Sequence, residues 1–146
     1  MLFRSVTASQ DSTLVTVTPS VTTMLGQPAG VPVQVMLMRG DCYSVKADSS
    51  DHPITTSLCG SKVHATKPVS VVAGNSCAYV PLSIQSCNEL LDEQIGSSWW
   101  GSDFFVQPLG NLDSMIEIQL VSDREFYASI NGSLQGSTNE IGRAHV

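Results

Sequence analysis

Short apolar runs separated by polar turns fill most of the chain, and inside the runs the side chains alternate with a period of two. Residues 14–18 show this best, with Leu14, Thr16 and Thr18 interleaved with Val15 and Val17. That spacing predicts a half-buried strand. Residues 2–8 read as a strand before it, joined by the polar turn Ser9-Gln10-Asp11-Ser12 to make a first hairpin. Residues 19–30 hold two prolines and two glycines and read as a loop. Residues 31–38 form a long apolar run broken only by Gln34, and Arg39-Gly40-Asp41 turns the chain into a strand over 42–47. This pair is a second hairpin candidate. After a polar loop, residues 61–66 and 69–73 give two more strands, with Lys67-Pro68 between them.

One stretch breaks the two-residue rhythm. Over residues 87–95, Leu90, Leu91 and Ile95 fall on one helical face, and Ser86 with Glu89 three positions on fits a capping box. A short helix is predicted there. Strands resume over 102–106, 116–122 and 125–130, the last two forming a hairpin around Asp123-Arg124. Residues 116–121 align loosely with 3–8, and 125–130 with 13–18, as a weak repeat of a hairpin unit. The predicted fold is all-β: an antiparallel, sandwich-like body of stacked hairpins with one short helix.

Composition narrows the function. Only 14% of residues are charged and the net charge is −6, which leaves nothing to offset phosphate repulsion and argues against a nucleic-acid partner. No apolar run is long enough to cross a bilayer, so this segment is not expected to insert in a membrane. The chain has four cysteines, Cys42, Cys59, Cys77 and Cys87. Their spacings lack the C-x-x-C of zinc ribbons and redox motifs, so neither a metal nor another cofactor is expected. Structural disulfides are the adopted reading, which implies an oxidising compartment. Pairing in sequence order, Cys42 with Cys59 and Cys77 with Cys87, is the simplest of the connectivities that four cysteines allow.

The order of residues from Lys67 to Pro108 resembles the N-terminal domain of the IgG Fc-binding protein family. The matching positions are Lys67-Pro68-Val69, Gly74, Cys77-Ala78, Val80-Pro81, Cys87, Leu90, Glu93-Gln94, Trp100-Gly101 and Phe105-Val106. Asn88-Glu89 and Ile95-Gly96 stand where the family pattern commonly has Asp-His and Pro-Pro. The resemblance implies a non-catalytic binding or adhesion module of mucin-like secreted or cell-surface proteins, with a protein or glycan partner. It also implies neighbouring domains in a longer chain, of which residues 1–140 are a partial copy of the family domain. Fc binding is implied only for the vertebrate protein that names the family. The alternative is a structural spacer repeat in a large surface protein, with no ligand of its own.

Candidate sites follow. Trp99 and Trp100 are candidates for a binding surface, against a structural role in which Trp100, followed by Gly101 as in the family, fills the core. An apolar patch around Trp99 would favour binding, and a uniformly polar surface the spacer. Asn131-Gly132-Ser133 fits the N-glycosylation sequon. Arg39-Gly40-Asp41 is read as a tight turn rather than a receptor motif. Glu89, Asp92 and Glu93 are read as the charged face of the short helix, because they lack the spacing of a calcium loop. An enzyme is not expected: no G-x-S-x-G, H-E-x-x-H or phosphate-binding glycine loop is present, and His52 or His64 would need a serine and a carboxylate beside it in a cleft.

Both ends look foreign to a natural domain. No secretory signal precedes the first strand, so the true start is expected upstream. Residues 141–146, Ile-Gly-Arg-Ala-His-Val, are what the adapter-like sequence ATC-GGA-AGA-GCA-CAC-GTC encodes, and they are set aside as a non-native tail.

Overall fold

The computed structural model describes residues 2–50, 57–79, 86–101, 103, 117–120, 126–130, 133–138 and 142–145. They fall into two units, residues 1–95 and 96–146.

The first unit is a two-sheet sandwich. Its strands are β1 (Leu2–Ala8), β2 (Thr13–Thr18), β3 (Val33–Leu37), β4 (Cys42–Lys46), β5 (Lys62–Ala65), β6 (Val69–Ala78) and β7 (Asn88–Glu93). One sheet has the order β4-β1-β6-β7 and the other β3-β2-β5, with every pairing antiparallel. The all-β prediction is therefore right, but the hairpins are not stacked as expected. β1 and β2 lie in different sheets, and so do β3 and β4, and β5 and β6. Their short polar connections are arches that carry the chain from one sheet to the other.

The reason lies in the alternation. Val6 and Ala8 of β1, and Val15 and Val17 of β2, are all buried. In a hairpin these side chains would lie side by side and still need a cover. In an arch they face each other and close the core at once. Leu37, Val45, Ala47 and Leu58 complete the buried cluster, and full burial of each Val or Leu contributes roughly 1.5–3 kcal/mol. The outward positions carry polar pairs, such as Ser5 and Ser44, whose hydroxyls share a 2.7 Å hydrogen bond across β1 and β4.

Three arches meet at one pole and are tied together. The Ala8 carbonyl accepts from Gly40 N–H (2.9 Å), and Ala8 N–H donates to the Asp41 carbonyl (3.1 Å). Asp11 Oδ1 accepts from Arg39 N–H (2.9 Å), while the Asp11 carbonyl accepts from Lys67 Nζ. Ser9 Oγ reaches the Pro68 carbonyl at 2.6 Å. Arg39-Gly40-Asp41 is a tight turn, as expected: Asp41 N–H donates to the Met38 carbonyl (3.0 Å), and Gly40 takes a φ of 87°, suited to glycine at the third position of a type II turn. Asp41 Oδ2 is occupied by Met38 N–H (2.9 Å), so the carboxylate serves its own turn.

The predicted helix over 87–95 is not formed. Asn88–Glu93 is the strand β7, and the only helical element among the described residues is a single 3-10 turn, Ser97–Trp99, in the second unit. A nine-residue helix is marginal alone. Here the Cys77–Cys87 disulfide, with its Cα atoms 4.6 Å apart, lays the segment along β6. The edge of β6 then gains hydrogen-bond partners it would otherwise lack, as in Gln94 N–H to the Val71 carbonyl at 2.7 Å.

In the second unit β8 (Glu117–Leu120) pairs with β11 (Gly142–His145), and β9 (Phe126–Ile130) with β10 (Ser133–Thr138). The predicted hairpin of 116–122 with 125–130 is thus not formed. β9 pairs with β10 instead, Ile130 opposite Ser133. The residues set aside as a tail include β11. Of the predicted strand over 102–106 only Asp103 is described, and it is exposed and in no strand; Asp123, Arg124 and His52 lie outside the described residues.

Candidate binding surfaces

The two sheets of the first unit differ in width, and the interior opens where their edge strands β3 and β4 come together. A groove of about 320 Å³ lies there, lined by Val17, Val33, Tyr43, Val45 and the loop over residues 19–27. Thr23 anchors the loop. It is buried, it bridges Ala47, its N–H donates to the Gln27 carbonyl (3.0 Å) and its Oγ1 accepts from Gln27 N–H (3.0 Å). Met24 and Leu25 form the tip of the turn closed by Gly26 N–H to the Thr23 carbonyl (2.9 Å). Leu25 is 87% exposed. The sequence reading passed over this tip; two large apolar residues inside a Pro/Gly-rich loop are the signal that marks it.

β7 is the second surface. All six of its residues are exposed, because the four-stranded sheet overhangs the three-stranded one. Leu91, opposite Gly74 of β6, is 66% exposed, and Leu90 and Ile95 are exposed as well. Glu89, Asp92 and Glu93 share this strand, with Glu93 Oε1 accepting from Ser70 Oγ at 2.8 Å. The three carboxylates therefore lie along a strand, not on a helical face.

The tryptophans belong to the second unit. Trp99 closes the 3-10 turn, its N–H donating to the Gly96 carbonyl (2.9 Å), and it is 83% exposed. Trp100, expected as the core residue, is 43% exposed. Extended backbone at Trp100, with φ −70° and ψ 136°, ends the turn. Asn131 lies outside the described residues.

Of the two expected disulfides, Cys77–Cys87 is formed and Cys42–Cys59 is not. Strand parity explains the difference. Cys42 shares the outward face of β4 with Ser44 and Lys46, while Val45 and Ala47 face in. Cys59 sits in the turn closed by Ser61 N–H to the Leu58 carbonyl (3.0 Å), beside the inward-pointing Arg4, whose Nη1 donates to the Ser61 carbonyl at 3.3 Å. Cys42 thus points out from β4, while Cys59 lies in a separate turn near Arg4. Burial lowers the pKa of Arg4, and the neighbouring Cys59 acts in the opposite direction.

His64 is exposed on β5, opposite Thr16 of β2, on the outer face of its sheet. That is a strand surface, not a cleft beside a serine and a carboxylate. Among the described residues no three His, Cys, Asp or Glu side chains gather as a metal site, and no helix is long and apolar enough to cross a membrane.

A human protein described as IgGFc-binding protein is 34% identical over 84 residues, which is 58% of this chain and 1% of the human protein. The chain thus spans a very small part of that relative's length. No solved structure matches it. A family profile described as IgGFc binding protein matches residues 3–143, so the chain belongs to the IgGFc-binding protein family.

Proposed function

We propose that this chain is a non-catalytic binding or adhesion module of an extracellular, mucin-like protein, and that it engages a protein or glycan through exposed apolar side chains. The observation that carries the reading is Trp99, 83% exposed on a tight turn. A spacer without a ligand has no use for a large aromatic held in water, whereas Trp is enriched at the anchoring points of interfaces. The Cys77–Cys87 bridge suits an oxidising, extracellular setting. Family membership supports a binding role over catalysis. The printed name of the human relative makes immunoglobulin Fc the first protein to try.

The test is binding of the whole chain to immobilised Fc and to a glycan array. Saturable binding to either is expected, weakened about tenfold or more by Trp99→Ala, as for an aromatic anchor. Absence of binding to both would return the chain to the spacer role.

A further inference from the structure

β7 pairs with β6 on one side only, and among the described residues nothing covers its other edge. The orientation of its backbone follows from one hydrogen bond. Gln94 N–H points at Val71 of β6, and in an antiparallel strand the N–H and C=O of successive residues point to alternate sides. Leu90 and Asp92 therefore face β6, while the N–H and C=O groups of Glu89, Leu91 and Glu93 face the open edge. An exposed edge of this kind is a template for strand addition.

Charge decides what kind of strand fits. From Val69 to Gly101 the chain carries Glu89, Asp92 and Glu93 and no Lys, Arg or His. A second copy fits badly. Self-pairing gathers six carboxylates and no cation along one seam, and in the register that sets Leu91 opposite Leu91 it puts Glu89 directly opposite Glu93, where like charges are destabilising. A basic strand can set cations opposite Glu89 and Asp92 with apolar side chains opposite Leu90 and Leu91.

We propose that the outer edge of β7 docks an extended, basic polypeptide segment, which adds to the sheet as a further antiparallel strand. Its recognition element is a pair of apolar residues flanked by lysine or arginine. The main chain of Glu89, Leu91 and Glu93 provides the hydrogen bonds, Leu90 and Leu91 the apolar contact, and Glu89 and Asp92 the choice of charge. The inference rests on the binding-module reading above but uses a different surface and a different ligand.

The probe is the labelled peptide Thr-Lys-Val-Ile-Lys-Thr, with Thr-Glu-Val-Ile-Glu-Thr as control, titrated with the whole oxidised chain and read by fluorescence anisotropy. The lysine peptide is expected to bind at least about tenfold more tightly than the glutamate peptide at low salt, and to weaken as salt screens the pairs. The double variant Glu89→Lys with Asp92→Lys should reverse the preference; both positions are exposed, so folding is not at stake. Leu91→Pro removes an N–H that faces the open edge and leaves the β6 ladder intact, so binding should be lost with little change in melting temperature. Equal affinity for the two peptides, an unreversed preference in the double variant, or self-association through β7 at low salt would overturn the proposal. Because Trp99→Ala should leave peptide binding unchanged, failure here is distinguishable from failure of Fc or glycan binding.

Discussion

β2 and β7 are both six-residue antiparallel strands, yet they are made by different forces. β2 is central, paired on both sides by β3 and β5, with Thr13, Val15 and Val17 buried in strict alternation. β7 is an edge, exposed along its whole length, and is held by its ladder with β6 and by the Cys77–Cys87 bridge. One strand is specified by its own side chains and the other by what it is tied to. The first builds the core, and the second is free to present a surface.

Placing the same charge in both strands gives the largest contrast. Val15→Asp puts an unpaired carboxylate at a fully buried position, a change expected to exceed about 4 kcal/mol and to unfold the first unit. Leu91→Asp on the exposed edge should stay within about 0.5 kcal/mol. Urea melts of the two variants make the comparison, and similar losses would mean that β7 is buried after all.

The bridge comes next. The Cys77–Cys87 loop spans a separation of 10 residues, for which the loop-entropy model gives about 2–3 kcal/mol. Cys77→Ser with Cys87→Ser should lower the unfolding free energy by that much, and the melting temperature with it, while β2 stays folded. A variant that melts like the parent would leave β7 held by its ladder alone.

These two expectations also mark what could be read from residues. The alternation of Leu14 to Thr18 was enough for β2, because its side chains supply both its conformation and its place. β7 was read as a helix because Leu90, Leu91 and Ile95 do fit a helical face, and nothing local says that β6 offers it a free edge. Partners were harder to see than strands for the same reason. Alternation says which side chains go in, but not whether the next strand lies beside or opposite. It also gave no warning that Cys42 and Cys59 would stay unbridged. The tip at Met24-Leu25 was missed because its exposure depends on Thr23 being anchored to Ala47 and Gln27.

Smaller effects sharpen the same contrast. Gly40 has a φ of 87° with open space where a Cβ would stand, so Gly40→Ala should cost about 1–2 kcal/mol through backbone strain alone at the pole that fixes β1, seen as a lower denaturation midpoint. At the exposed surface, Asp48 Oδ1 accepts from Ser50 N–H at 3.1 Å, which lowers its pKa. A carboxyl with a depressed folded pKa stabilises above the unfolded value, about 3.9, and loses that contribution as pH falls through the lower folded one. Asp48→Asn should therefore lower stability slightly at neutral pH, leave it unchanged below both values, and so flatten the acid limb of the stability curve.

Amide hydrogen exchange along β7 in the oxidised protein tests the central claim most directly. Protection should alternate: Leu90, Asp92 and Gln94, whose N–H groups face β6, exchange slowly, while Glu89, Leu91 and Glu93 exchange at rates close to those of an open chain. Uniform protection across the six would contradict the account, since it is what a helix, or a strand already covered on its outer edge, would give.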